Sequence, residues 1–167
     1  MTDAVVPDDA DAAAARQKRW IQRFMDGVPH LKMLGIGYKA HGRDWAELEM
    51  PFAEQQLADP DYGIIASGAI FALLDNAAGF AVQVARAELI PMATLDLRVD
   101  YLRGPGPRAT VIGHATCYRL TRQIAFVRGY AHDGDASNPI ANMAGTFMFT
   151  AQAEGAGVFT SLLGTAT

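Results

Sequence analysis

Two kinds of hydrophobic pattern divide this chain: one long stretch that is apolar nearly all the way round at helical spacing, and several shorter ones that alternate at a period of two. The first runs from Ser67 to Arg86. Ile70, Leu73, Leu74, Ala77 and Ala81 share one side of it, and Phe71, Ala78 and Val82 lie on another. A surface helix shows a single apolar stripe, so this helix is expected to be covered on more than one side. Ser67 reads as its N-cap, because a serine hydroxyl can accept from the free amides of a first turn.

The alternating stretches predict strands. Leu34 to Tyr38 and Trp45 to Met50 flank the turn His41 to Asp44 and read as a hairpin, and Pro51 to Tyr62 reads as a loop broken by Pro60. After Pro91, Leu95, Leu97, Val99 and Tyr101 alternate with Asp96, Arg98 and Asp100, the pattern of a half-buried strand. Gly104 to Pro107 turns the chain. Strands are then expected over Arg108 to Tyr118, Gln123 to His132 and Ile140 to Thr150, forming an antiparallel meander. The predicted class is α+β, with a twisted antiparallel sheet curled around one central helix.

Ahead of this lies an alanine-rich stretch from about Asp9 to Met25 with Arg16, Lys18, Arg19 and Arg23. It is expected to form an extra N-terminal helix opening at Asp9 or Asp11 and ending near Gly27. Residues 1–8 read as disordered, 9–150 as a single domain, and 151–167 as a loose tail. At 167 residues the chain can bury a core of its own.

Composition narrows the function classes. A formal net charge of −4 and the absence of a basic stripe give no footing for nucleic acid. A single cysteine, Cys117, excludes an intrachain disulfide and a thiolate metal site, and His30, His41, His114 and His132 lack ligand spacing, so no metal is expected. Asp75 and its polar neighbours argue against a membrane span over Ile64 to Val84, since an aspartate at a span's centre costs roughly 2.5–3.5 kcal/mol. The acidic N-terminus lacks the pattern of a signal peptide, and a cytoplasmic protein is expected.

Asp75 is the most informative residue. A carboxylate inside an apolar helix must reach water, a donor or a ligand. A partner such as Arg98 or Arg122, or a polar seam between subunits, satisfies that need as well as chemistry does. The entry to the same helix supplies free amides and partial positive charge at Ser67 and Gly68, suited to a developing oxyanion. Gly68 also lets a ligand approach the backbone.

The segment Tyr62-Gly-Ile-Ile-Ala-Ser-Gly-Ala-Ile-Phe-Ala-Leu-Leu-Asp75-Asn-Ala-Ala-Gly resembles the signature of hotdog-fold acyl-CoA thioesterases of the PaaI-like, phenylacetate-degradation branch. That signature has His-Gly-Gly at the helix start and an aspartate seven residues after the second glycine, a spacing kept from Gly68 to Asp75. Ala93 to Arg103, Gln123 to Val127 and Ile140 to Phe147 are similar to the strands that follow, so the resemblance spans roughly residues 30–150. It implies a hotdog fold and hydrolysis of an acyl-CoA, aryl or medium-chain, with no cofactor beyond the CoA of the substrate. It implies Asp75 as general base or nucleophile, the Ser67 and Gly68 amides as oxyanion donors, and Thr94 beside the attacking water. It further implies a site shared between the subunits of a homodimer, with dimers pairing into tetramers.

Ala66-Ser67-Gly68 departs from His-Gly-Gly at two positions. Asp59 is the nearest counterpart of the family's upstream asparagine. Ala66, Asp59 and Phe71 are candidate substrate-binding residues with Arg103 and Arg122, which together with Arg108 are candidates for CoA phosphates. Phe71, Leu74, Tyr101 and Phe126 are candidates for the subunit seam. The rival reading is a non-catalytic hotdog module that binds acyl-CoA or a partner, and a hotdog dehydratase ranks below both for want of a histidine paired with the aspartate.

Overall fold

The central helix, α3, spans Ser67–Arg86 as the apolar pattern requires, and the sheet wraps it. The computed structural model describes residues 8–87 and 90–150 of the chain; the expectations for residues 1–7 and for the tail lie outside these. α1 (Asp8–Gly27) opens one residue before Asp9, within the stretch read as disordered. α2 (Pro29–Leu34) follows at once. Then come β1 (Gly37–His41) and β2 (Trp45–Met50), a short 3-10 turn at Glu54–Gln56, and the small pair β3 (Leu57–Asp59) and β4 (Ile64–Ile65). After α3 come β5 (Met92–Tyr101), β6 (Val111–Leu120), β7 (Ile124–His132) and β8 (Ala141–Phe149).

Six strands form one antiparallel sheet in the order β1-β2-β6-β7-β8-β5. Burial follows the pleat. Ala46, Leu48 and Met50 of β2 and Val111, Gly113, Ala115 and Cys117 of β6 face the helix and are buried. Small residues there let α3 sit close: a β-carbon on Gly113 would lie 3.0 Å from Leu73 Cγ. On the helix, Leu73, Leu74, Ala77, Ala78 and Ala81 have no exposed surface. α3 is long and apolar enough to cross a membrane by length and composition alone. Its apolarity is instead accounted for by burial within a soluble-type fold, where each buried methylene is worth about 0.8 kcal/mol.

α1 ends at Gly27 as expected, and Pro29, suited to the first turn of a helix, opens α2. Two local readings are corrected. Gly35, with φ +65°, caps that helix, so the hairpin strand begins at Gly37 and not at Leu34. The segment read as a loop over Pro51 to Tyr62 contains the 3-10 turn and β3. It is organised by the fully buried Gln56, whose side-chain amide donates to the carbonyls of Leu34 and Pro51 and accepts from the Ala53 amide.

β5 ends the sheet, pairing with β8 on one edge and with no described strand on the other. Its helix-facing side is less covered than its alternation suggests: Leu95 is 51% exposed and Tyr101 44%. A bulge between Thr94 and Asp96 accounts for Leu95, which falls out of register.

Candidate active site

The entry to α3 is set by the chain beneath it. The Ala66 amide donates to the Gln56 carbonyl at 2.7 Å, which holds Ala66 extended (φ −64°, ψ 138°). Helical geometry therefore starts at Ser67, and Ala66 is the N-cap; Ser67 is not, and no side-chain cap bond forms. The Ala66 carbonyl accepts from Ala69 and Ile70. Among the described residues the Ser67 and Gly68 amides have no partner, so two donors at the positive end of the helix are left for a ligand. Among the described residues nothing lies within 4 Å of where a Gly68 β-carbon would stand, so the approach is open. The Tyr101 hydroxyl, from the far end of β5, donates to the Ser67 carbonyl at 2.8 Å and tethers this turn to the sheet.

Asp75 lies two turns further on. Its Oδ1 accepts from the Thr94 hydroxyl at 2.9 Å across the gap to β5. Among the described residues no cation is placed beside it: Arg98 pairs with its strand neighbour Asp100 at 3.0 Å, and Arg122 sits in the exposed β6–β7 turn. Burial pushes the Asp75 carboxyl above the usual value of 3.8, opposed by the Thr94 hydrogen bond. The carboxylate lines a cavity rather than a sealed interior, with Gly79 and Phe80 of the same helix stripe, Met92 of β5, Phe147 of β8 and Trp20 of α1.

The structure thus gathers Asp75 and Thr94 at one place, and Ser67, Gly68, Ala66 and Tyr101 at another. Phe71, 40% exposed, lies on α3 between them. Leu74 is fully buried and belongs to the core. Phe126 lies against Tyr118 on the sheet face away from α3, with its neighbours Ala125 and Val127 facing the helix.

The proposed anion-binding side chains are largely engaged. Arg103 forms a two-pronged ion pair with Asp133 and also donates to the carbonyls of Gly104 and Asn138, joining two loops at one end of the sheet. Arg108 pairs with Glu54 at 2.7 Å and covers the Phe52 ring. Arg122 is exposed but lies at the end of the sheet away from Tyr101, as the pairing of Ile124 with Met148 and of Tyr101 with Ala141 shows. Asp59 accepts from the amides of Asp61 and Tyr62, so its carboxylate serves its own turn.

His114 is stacked between Trp45 and Tyr130, with Nδ1 3.1 Å from Glu47, on the face away from Asp75. Burial pushes the Cys117 thiol up. Among the described residues, no group of three or more His, Cys, Asp or Glu side chains is placed to hold a metal ion. Sequence reasoning missed Trp20, Gly79 and Gln56. Continuing the helical stripe from Asp75 by four residues finds Gly79, but no local signal connects Trp20 with it.

The family model of the thioesterase superfamily matches residues 62–139. A protein from Pseudomonas aeruginosa of solved structure is 32% identical, over 78% of this chain and 96% of its own, with a TM-score of 0.72. A thioesterase from Haemophilus influenzae is 23% identical over 72% of this chain and 82% of its own (TM-score 0.64). PaaI of the E. coli phenylacetic acid degradation operon is 16% identical over 85% and 96% (TM-score 0.70). The last two likenesses bear on the fold. No protein of curated function matches the chain significantly.

Proposed function

Because the chain belongs to the thioesterase superfamily and has its hotdog fold, we propose that it hydrolyses an acyl-CoA to the free acid and CoA, with Asp75 as general base. One observation carries this reading: a carboxylate in the central helix that opens to a cavity and, among the described residues, meets a single hydroxyl and no cation. Such an environment holds the carboxyl above its usual range, nearer the pH at which a base is most effective.

In the proposed reaction, Asp75 takes a proton from a water positioned with the help of Thr94. The oxygen of that water bonds to the thioester carbonyl carbon, and charge moves to the carbonyl oxygen. The Ser67 and Gly68 amides receive this oxyanion, an interaction worth about 3–4 kcal/mol per donor in related chemistry. The carbon–sulfur bond then breaks, and the thiolate leaves and takes up the proton.

One chain does not supply both halves. Ser67 and Asp75 are eight residues apart on one helix, a rise of about 12 Å, whereas base and oxyanion donors must both lie roughly 3 Å from the reacting group. Asp75 of one protomer therefore works with the amides of a second, in a homodimer joined through the open edge of β5. CoA phosphates then meet residues other than Arg103, whose donors hold Asp133.

The test is CoA release from a panel of aryl and medium-chain acyl-CoAs. Turnover that Asp75→Asn abolishes sustains the proposal, and equal turnover by that variant ends it. The rival, an acyl-CoA-binding module without turnover, draws on Ala66, whose methyl group supplies no polar atom where the family signature has histidine. Thermal stabilisation by acyl-CoA with no CoA release decides for the rival.

A further inference from the structure

We propose that Trp20 of the N-terminal helix sets the size of the acyl group that reaches Asp75, an inference that rests on the thioesterase reading above. The cavity lined by Asp75 follows one stripe of α3 through Gly79 and Phe80 to Gln83, with Met92 and Phe147 as the sheet wall. Its far end is not polar in effect. The Gln83 amide donates to the Ile90 carbonyl at 2.9 Å and accepts from the Ile90 amide at 3.2 Å, which ties it to the chain entering β5. Beyond Asp75 and Asn76, whose side-chain amide donates to the Ala72 carbonyl at 2.8 Å, what the cavity offers an occupant is chiefly hydrocarbon and aromatic surface.

Two residues limit that space. Trp20 reaches over from α1 and meets the Phe80 ring edge-on, with centroids 6.0 Å apart and planes at 68°. Gly79 leaves the helix wall bare toward the sheet: a β-carbon there would lie 3.3 Å from Met92 Cε and 3.9 Å from the Phe147 ring. The cavity volume is about 140 Å³. An apolar protein cavity of roughly 150 Å³ holds one benzene ring, so the space suits a six-membered ring or a chain of about as many carbons. A longer chain runs into the indole. Trp20 is thus a specificity-determining residue, contributed by the N-terminal helix that packs onto the core through Ile21 and Met25.

The experiment compares kcat/KM for acetyl-, hexanoyl-, phenylacetyl- and decanoyl-CoA in wild type, Trp20→Ala and Gly79→Ala. Wild type is expected to favour hexanoyl and phenylacetyl over decanoyl. Trp20→Ala raises the decanoyl-to-hexanoyl ratio by about tenfold or more, and Gly79→Ala lowers the hexanoyl-to-acetyl ratio in the opposite sense. A Trp20→Ala protein that cleaves acetyl-CoA normally but keeps the wild-type chain-length profile overturns the inference. If that variant fails to fold, an unchanged ratio in Gly79→Ala overturns it instead.

Absence of CoA release from every ester counts against the thioesterase reading, and the pocket is then judged by binding alone. Trp20 and Trp45 are the two tryptophans of the chain, so in a Trp45→Phe background the emission reports Trp20. A saturable change on adding hexanoyl- or phenylacetyl-CoA, weaker with decanoyl-CoA, supports the assignment. A flat titration overturns it.

Discussion

The Thr94 hydroxyl donates to Asp75 Oδ1 at 2.9 Å, so the strand that follows the central helix turns back to hold the helix's single carboxylate. Thr94 is also the last residue before the β5 bulge, which is where the strand changes which residues face the helix.

This pairing makes the charge state of Asp75 measurable in two ways. Its carboxyl is pushed above 3.8 in the folded chain by burial, against the pull of Thr94. An acid raised on folding contributes stability that is full below its unfolded value and is lost as pH rises through the folded value. Asp75→Asn keeps an acceptor for Thr94 and removes the charge. Its melting temperature is expected to exceed that of wild type at neutral pH, with the gap closing as pH falls toward 3.8. CoA release should drop by at least about 100-fold in the same variant. Thr94→Val removes the opposing hydrogen bond, so the acid limb of the wild-type pH–rate profile should move to higher pH. An unmoved limb means that another group controls it.

Gly68 separates function from stability. A methyl group there meets no atom of the described residues within 4 Å, and alanine is the better helix former by roughly 0.5–1 kcal/mol. Gly68→Ala is therefore expected to melt at or above the wild-type temperature while kcat/KM falls by about tenfold or more, because the methyl occupies the path of the thioester carbonyl. Full activity in a stable Gly68→Ala protein places the oxyanion elsewhere.

The Arg103–Asp133 pair makes the opposite pH prediction. The guanidinium holds the Asp133 carboxyl well below the usual carboxylate range, helped by the Gly106 amide. An acid depressed on folding stabilises above its unfolded value, and that contribution disappears as pH falls below it. Asp133→Asn should lower the melting temperature at neutral pH, with the deficit shrinking below about pH 4. Thermal denaturation across that range checks this. An equal deficit at both ends implies that packing, not charge, is what the variant loses.

Much of the fold was legible because its signals are local. The bounds of α3 and the alternation of β2, β6, β7 and β8 follow from periodicity, and Asp75 stood out because nothing apolar explains it. What the sequence hid depends on distant partners. The Gln56 carbonyl holds Ala66 extended and moves the cap off Ser67. Asp133, thirty residues away, engages the arginine that seemed free for phosphate. Trp20 acquires its place only when α1 packs beside Phe80.

A site shared between protomers predicts that two inactive variants complement each other. Ser67 is the first helical residue and follows an extended Ala66, the one setting in which proline is tolerated at a helix start. Ser67→Pro thus deletes one oxyanion amide with little expected change in fold, and should lower kcat by about 10²–10³. Asp75→Asn disables the other half. If each site draws its aspartate and its amides from different protomers, a heterodimer of the two variants contains one intact site and one site lacking both. Co-refolding them in equal amounts makes about half of all dimers mixed, so about a quarter of wild-type activity should return. Separate purification and mixing without unfolding should return less. Absence of any recovery, with mixed dimers demonstrated by tag-specific capture, shows that base and oxyanion donors do not cooperate across the interface.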